Sequence, residues 1–189
     1  MQEKKAHLRE TPIKSRAVRT IPKSSKGHFV GEMVFNRGNQ RQTLGFGSLT
    51  EYNAALCLIY RQDFHDIEEQ LAGLPFNLPN GKPSTHFFDF RFTQKGGRRI
   101  CISVKPERIA MTFKYQSIIA QVKKAAVGNI CEDVQTITER NINPIMLHNA
   151  KLFHAARDPE PDLDALVAET LKTLHAPIPV DTFLAELDI

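Results

Sequence analysis

The alternation of apolar and polar residues changes its period along the chain, and each period predicts one type of element. Residues 29–47 (FVGEMVFNRGNQRQTLGFG) alternate around a turn at residues 37–39, which predicts a short hairpin. Ser48 then precedes LTEYNAALCLIY, a stretch with helical period. Glu51 follows Ser48 by three residues, the spacing of a capping box, so we expect a helix that begins just after Ser48.

Two further strands are joined by the glycine-containing loop TQKGG, and the length of this loop sets their register. The strands are THFFDFRF (residues 85–92) and RRICISV (residues 98–104). Because side chains alternate across a sheet, this register puts Asp89, Ser103 and Lys105 on one face. The opposite face is the predicted core face, and it carries Phe88, Phe90, Ile100, Ile102 and Val104.

The remaining periodic stretches are mostly helical. A helix is predicted from about residue 112 to 127, and a glycine at the next position is a fitting end for it. A short strand, VQTIT, and a helical stretch, NPIMLHNAKLFHAAR, follow it. The sequence DPEP at 158–161 predicts a boundary. Beyond this boundary we expect an amphipathic helix, LDALVAETLKTL, and a short acidic helix.

The composition is that of a soluble globular protein. The 189 residues, 41% apolar and 24% charged, suit one domain with an arm at either end. The three cysteines are scattered without CxxC spacing, which indicates a reduced, cytoplasmic protein and not a zinc finger. The N-terminus lacks the apolar stretch of a secretory signal, and the longest apolar run, at 54–60, has 7 residues. We therefore expect a cytoplasmic location and no membrane contact.

The net charge of +4 hides a strong asymmetry between the two ends of the chain. Residues 1–45 hold 10 Lys and Arg against 3 acidic residues, whereas residues 157–189 hold 2 against 8. The basic end is either a solvated arm or a nucleic-acid contact, and the acidic end either packs on the protein's own core or docks on a partner. The cations predicted to contact phosphates are Lys14, Arg16, Arg19, Lys23 and Lys26 in the arm, Arg37 in the first hairpin, and Lys95, Arg98 and Arg99 at the second.

The shared face of the second hairpin has the chemistry of a metal-dependent nuclease. A carboxylate at Asp89 can bind Mg²⁺ through oxygen, and the carbonyl of Val104 can complete the metal shell. The ammonium of Lys105 would lie beside the attacking water and stabilise charge in the transition state. The spacing alone is also typical of an Asp and a Lys on a solvated sheet face.

The order of motifs resembles the TnsA endonuclease family over roughly residues 40–157. GSLTEYNAALCLIYRQDFHDIEEQ is similar to that family's Glu-bearing helix and the strand after it. FFDF stands where the family has its catalytic aspartate, and ISVKP where it has a (Gln/Glu)-x-Lys-Pro segment. The resemblance ends in TITERNINPIMLHNAKLF, which is similar to the family's T-(D/E)-x-x-I-x-P…N…L segment. Four ordered motifs at compatible spacing are far more specific than any one of them.

The resemblance implies an α/β fold of the restriction-endonuclease-like, PD-(D/E)xK type. This fold would have a mixed sheet of about five strands, flanked by helices, with an extended basic N-terminal arm and an acidic helical tail. Glu51, Asp89 and Lys105 match the family's catalytic positions, while Ser103 stands where the family has Gln or Glu. The implied cofactor is Mg²⁺, with Mn²⁺ as a substitute, and its implied ligands are Glu51, Asp89, Ser103 and the carbonyl of Val104.

The resemblance also implies a function and partners. The protein would be the endonuclease subunit of a heteromeric cut-and-paste transposase and would hydrolyse the 5′ ends of the transposon. Its partners would be double-stranded DNA at the transposon ends, a DDE-type transposase subunit and an AAA+ ATPase regulator. Residues 1–28 would form the arm, 29–157 the endonuclease core and 158–189 the tail. A catalytically silent DNA-binding or assembly subunit and a stand-alone restriction or repair nuclease remain alternatives.

Two other reactive side chains lie near the predicted site. His86 is predicted to point to the side of Phe88 and Phe90 and to be a packed histidine, not a base. Cys101 shares the face of Ser103, but no histidine is placed to activate it, so we expect no thiol chemistry.

Overall fold

The described part of the chain comprises residues 11–20 and 29–187 of a computed structural model. Lys23 and Lys26 of the predicted arm lie outside these residues. The chain divides into two compact units, the first ending at His154 and the second beginning at Ala155. The predicted boundary at residues 158–161 lies close to this division.

The first unit contains the eight strands of the described chain, the first three helices and almost all of the fourth, whereas the described elements of the second unit are helices. The strands are β1 (Gly31–Arg37), β2 (Gln40–Phe46), β3 (Phe64–Glu69), β4 (Leu74–Asn77), β5 (Pro83–His86), β6 (Phe90–Gln94), β7 (Arg99–Val104) and β8 (Asp133–Ile137). The helices are α1 (Leu49–Ile59), α2 (Glu107–Ala110), α3 (Phe113–Ala126), α4 (Pro144–Ala155), α5 (Pro161–Thr173) and α6 (Val180–Glu186), with a 3₁₀ turn at Glu139–Asn141.

Local sequence signals explain the first hairpin and the ends of two helices. β1 and β2 pair in antiparallel fashion, and Gly38 takes a φ of 58° in the turn, a conformation that favours glycine. The hydroxyl of Ser48 accepts a hydrogen bond from the Glu51 N–H and caps α1, as predicted. Thr112 caps α3 in the same way, and Gly128 follows that helix with a φ of 80°.

The central sheet has four strands in the order β3-β6-β7-β8. β6 is antiparallel to both β3 and β7, whereas β8 runs parallel to β7, so the sheet is mixed. The pairing of β6 with β7 runs from Thr93–Arg99 to Phe90–Ile102, the predicted register. The sheet has four strands where about five are predicted. The predicted strand 85–92 is divided, since its first residues belong to β5, which pairs with β4 in a separate two-stranded sheet.

Both faces of the central sheet are covered by apolar side chains. On one face, residues of β6 and β7 such as Phe90 and Ile102 pack with α1 and the first hairpin. On the other face, Cys101 packs with Val122 of α3. Phe88 belongs to this second cluster, which corrects its predicted place beside Phe90. The chain changes from the β4–β5 sheet to the central sheet between β5 and β6, and this change interrupts the alternation that the prediction assumed.

The second unit has almost no core of its own. No residue of α5 is buried, and Leu166 and Leu171 of its apolar stripe are about half exposed. Across residues 11–20 and 29–187, no helix is long and apolar enough to cross a bilayer.

Candidate active site

Asp89 and Lys105 meet at the end of the central sheet. Asp89 lies just before β6, Lys105 lies just after β7, and Asp89 is 8% exposed. The Asp89 Oδ2 accepts a hydrogen bond of 2.7 Å from the Val104 N–H and lies 3.4 Å from the Lys105 Nζ. The same Nζ donates to the Val104 carbonyl at 3.0 Å. The ammonium therefore sits between two of the oxygen atoms that the resemblance implies as metal ligands.

Glu51 joins this pair from the first turn of α1. Its Oε2 accepts a hydrogen bond of 2.8 Å from the Gly47 N–H, and its Oε1 accepts one of 3.1 Å from the Ser48 hydroxyl. Burial and the charge of Asp89 raise the pKa of Glu51, while these hydrogen bonds and the charge of Lys105 act to lower it. The three predicted catalytic side chains thus form one electrostatically coupled group.

The donor atoms of this group fit a hard divalent cation. Carboxylate and carbonyl oxygens are the ligands that Mg²⁺ prefers, and the ammonium of Lys105 already holds a positive charge between Asp89 and Val104. Within the described ranges, no three His, Cys, Asp or Glu side chains gather as a metal-binding group. A cation here would therefore rely on Glu51, Asp89, the Val104 carbonyl and water.

Ser103 lies beside the site but is bound within the protein. It is fully buried, and its Oγ lies 2.8 Å from the Nε2 of His86. A hydrogen bond also connects it to Tyr115. These contacts assign the hydroxyl to an internal polar network. Its role as a metal ligand stays a prediction, and a fully buried hydroxyl with two partners gives that role little support.

The position of His86 differs from the predicted one. Its ring packs edge-on against Phe88, with centroids 4.6 Å apart, as a packed histidine would. However, both residues lie on the Ser103 side of the sheet because Phe88 and Phe90 do not share a face. Burial, followed by the nearby positive charge of Lys105, lowers the pKa of His86 to about 4. The imidazole is therefore neutral at pH 7.

Tyr115 completes the polar network and was missed by the sequence analysis. Its hydroxyl lies 2.9 Å from the Oγ1 of Thr136, which pairs with Ser103 across β7 and β8. Burial raises the pKa of the Tyr115 phenol, so it stays protonated and can donate. The network ties the first turn of α3 to β7 and β8. A serine facing a threonine across these two strands is the signal that could have revealed it.

Part of the predicted arm, which belongs to the first unit, binds to side chains on β3 and just after it. The guanidinium of Arg16 forms two hydrogen bonds with the Asp66 carboxylate, at 2.8 and 2.7 Å. The Nε of Arg37 lies 3.0 Å from the same carboxylate. Ser15 donates to Glu69, and Arg19 donates to Gln70. Arg16, Arg19 and Arg37 are thus bound within the protein, and their role as phosphate contacts stays a prediction.

Gln70 connects this arm segment to the candidate site. Its N–H donates to the Asp89 carbonyl at 2.8 Å, and its own carbonyl accepts from the Val18 N–H at 3.1 Å. Gln70 has a φ of 47°, a left-handed conformation that is strained for a residue with a side chain. A strained residue of this kind keeps its conformation only when the surrounding structure fixes it. Here the backbone of Gln70 is hydrogen-bonded to Val18 of the arm and to Asp89.

Both arginines of the predicted hairpin tip form ion pairs with acidic residues. Arg99 forms an ion pair of 3.1 Å with Glu132, and Arg98 lies 3.7 Å from Asp133. Both arginines remain partly exposed, but acidic residues already offset their charge. Lys95 and Lys14 are exposed, so they remain available as phosphate contacts. The phosphate contacts of these four cations stay a prediction.

No protein-family model matches this chain, and no curated protein matches its sequence. The class that the structure defines is a mixed α/β protein with a mixed sheet flanked by helices. A more specific function rests on the grouping of Glu51, Asp89 and Lys105 and on the resemblance of the motifs.

Proposed function

We propose that the protein is a metal-dependent DNA endonuclease with a restriction-endonuclease-like fold, acting as a subunit of a heteromeric cut-and-paste transposase. The observation that carries this proposal is the grouping of Glu51, Asp89 and Lys105. These residues come from a helix and from the ends of two strands, and they are the positions that match the catalytic motifs of the TnsA endonuclease family. A chance Asp–Lys pair on a solvated face would not be buried or coupled to a second carboxylate.

Each residue has a definite task in this proposal. Bound Mg²⁺ would supply a Lewis acid and an acidified water. Asp89 and Glu51 would hold the ion through carboxylate oxygens, with the Val104 carbonyl as a further ligand. The ammonium of Lys105 would leave Asp89 and stabilise the negative charge that develops on the scissile phosphate.

Contacts with DNA would come from the exposed cations. Lys14 and Lys95 are exposed in the described chain, and Lys23 and Lys26 of the arm remain predicted contacts. Such contacts position DNA without reading its sequence. Hydrolysis of the 5′ transposon ends, and assembly with a DDE-type transposase subunit and an AAA+ ATPase, rest on the resemblance. The exposed stripe of α5 is a candidate surface for that assembly.

Plasmid nicking in Mg²⁺ or Mn²⁺ tests this function. Wild type should nick, and EDTA should abolish nicking. Asp89→Ala should lower nicking by at least a hundredfold while DNA binding stays within about twofold, because it deletes a ligand and not a phosphate contact. Glu32→Ala is the matched control, since Glu32 is an exposed carboxylate outside the site. Metal-dependent nicking that persists in Asp89→Ala would refute the proposed site.

One observation favours a second function, that of a silent DNA-binding subunit. Ser103 cannot add charge at the position where the family has Gln or Glu, and Lys105 holds the cation position between Asp89 and Val104. If the protein is a silent subunit, wild type would bind DNA but would not nick it with either Mg²⁺ or Mn²⁺. The same assay therefore separates the two functions.

A further inference from the structure

The turn between α2 and α3 displays large apolar side chains to solvent. Phe113 is 88% exposed, the highest value among the large apolar residues of the described chain. Met111 is 70% exposed, and Ile109 is 38% exposed. Single exposed apolar residues are common on protein surfaces, but two such large side chains separated by one residue form a protruding tip.

The backbone that carries this tip is fixed by hydrogen bonds. The N–H of Met111 donates to the Glu107 carbonyl at 3.0 Å, and the hydroxyl of Thr112 donates to the Ile109 carbonyl at 2.8 Å. The side chain of Gln116 donates to the carbonyl of Ala110, which is buried. Met111 and Phe113 are therefore presented by a rigid turn, so little backbone freedom is lost when they contact a partner.

The tip lies close to the candidate site. α2 begins two residues after Lys105, and the N–H groups of Ile109 and Ala110 both donate to the Pro106 carbonyl. Two extended residues and one helical turn separate Lys105 from Met111 by roughly 13 Å at most. From the other side, Tyr115 in the first turn of α3 reaches Thr136 and Ser103. Any duplex held at Asp89 and Lys105 therefore comes within reach of the tip.

Cations flank the tip on both sides along the chain. Arg108 and Lys114 are exposed, and two acidic residues, Glu107 and Glu139, also lie in this region, where the Glu107 N–H donates to the Glu139 carboxylate. Two apolar side chains are too small a surface for a stable protein interface, which buries more than roughly 1,000 Å². Apolar side chains between phosphate-binding cations are, however, typical of wedges that enter a DNA base stack.

We infer that Met111 and Phe113 form a wedge that enters the base stack of the DNA duplex bound at the candidate site. Arg108 and Lys114 bind the phosphates on either side of the wedge. The wedge opens the base step next to the scissile phosphate and makes the strand easier to bend towards Asp89 and Lys105. This inference rests on the proposed function, since it requires DNA at the site.

The test uses duplexes that carry 2-aminopurine, whose fluorescence rises when the base is unstacked. The fluorescent base is moved one position at a time along the duplex. The measurements are made without Mg²⁺, so that the duplex is not cut. Wild type should raise the fluorescence severalfold at one step. Phe113→Ala and Met111→Ala should each abolish most of this rise and weaken DNA binding about tenfold, because the contact of an inserted side chain with the bases is lost. Phe113→Trp should preserve the rise.

Matched controls keep the test independent of folding and of catalysis. Ile145→Ala removes an apolar side chain that is 71% exposed on α4 and has no neighbouring cation in sequence, so it should change neither fluorescence nor binding. Asp89→Ala should unstack the DNA like wild type. Circular dichroism should show unchanged folding in every variant, since Met111 and Phe113 bury little surface.

Each outcome has a definite meaning. Binding and nicking by wild type without any rise in fluorescence would overturn the wedge and leave the endonuclease intact. Normal unstacking by Phe113→Ala together with loss of a protein partner would also overturn the wedge, because the tip would then be a protein contact. If wild type binds no DNA under any condition, the wedge and the proposed function both fail.

Discussion

The two faces of strand β7 are both buried, yet they bury different chemistry. One face presents Ile102 and its apolar neighbours to α1, in a cluster of apolar side chains. The other presents Cys101 and Ser103 towards α3, and there the Ser103 hydroxyl meets the His86 imidazole and the Tyr115 hydroxyl meets Thr136. The comparison indicates that apolar packing stabilises one face, whereas the other face combines apolar packing with hydrogen bonds.

The polar face remains compatible with folding because its groups have partners. Ser103 bonds to His86 and to Tyr115, and Tyr115 bonds in turn to Thr136. A buried hydroxyl without such partners would cost about 1–3 kcal/mol. A satisfied network also fixes side-chain positions more strictly than apolar packing does.

The largest effect is expected on the apolar face. Ile102→Ala should lower the free energy of unfolding by about 2–5 kcal/mol, because Ile102 is 1% exposed and its removal leaves a cavity. Urea denaturation followed by circular dichroism measures this loss. Ile109→Ala, at a partly exposed position, should cost less than about 0.5 kcal/mol. Equal losses in the two variants would contradict the assignment of the core to this face.

A smaller effect is expected from Ser103→Gln on the polar face. The longer side chain must fit where Ser103 is fully buried, so the variant should lose about 1–3 kcal/mol of stability. If Ser103 instead occupied a metal-ligand position, Gln would resemble the family's residue and nicking would be preserved or raised. Nicking and urea denaturation of the same variant therefore separate the two roles.

The smallest effect concerns pH and His86. The unfolded chain takes up a proton on this histidine below pH about 6.5, whereas the folded protein does so only near pH 4, because its pKa is lowered to about 4. Stability that is present above pH 6.5 should therefore fall between pH 6.5 and 4. The loss should be about 1–2 kcal/mol, since the ring is only half-buried.

His86→Gln is the control for this pH effect, because glutamine does not titrate and can still bond to Ser103. The difference between wild type and variant isolates the contribution of His86 from that of the other titratable groups. An identical pH dependence in both proteins would show that His86 takes up its proton at an ordinary pH in the folded state.

Much of the apolar face could be predicted from the sequence, and less of the polar face. Alternation and loop length predicted the β6–β7 register correctly, because both are local properties. They failed at Phe88 and His86, where the chain passes from one sheet to another and the alternation stops. β5 pairs with β4, which lies outside the predicted hairpin. The alternation of apolar and polar residues within a strand does not indicate which other strand it pairs with.

The arm could not be predicted for a different reason. Arg16 and Asp66 are 50 residues apart, and a charge pattern does not say which acid a given cation will meet. The sequence therefore predicted free cations, whereas the fold brings Arg16 and Arg37 to one carboxylate. The exposed tip at Phe113 was missed because its apolar side chains are typical of a helix that packs on a core.

Binding of Mn²⁺, followed by electron paramagnetic resonance without DNA, tests the grouping of Glu51, Asp89 and Lys105 most directly. Wild type should bind Mn²⁺, and Asp89→Asn should bind it at least tenfold more weakly, because one ionised carboxylate is lost. Lys105→Met should bind it more tightly than wild type, since the ammonium would no longer compete for the Asp89 Oδ2 and the Val104 carbonyl. Equal affinity in wild type, Asp89→Asn and Lys105→Met would contradict a metal site at these residues.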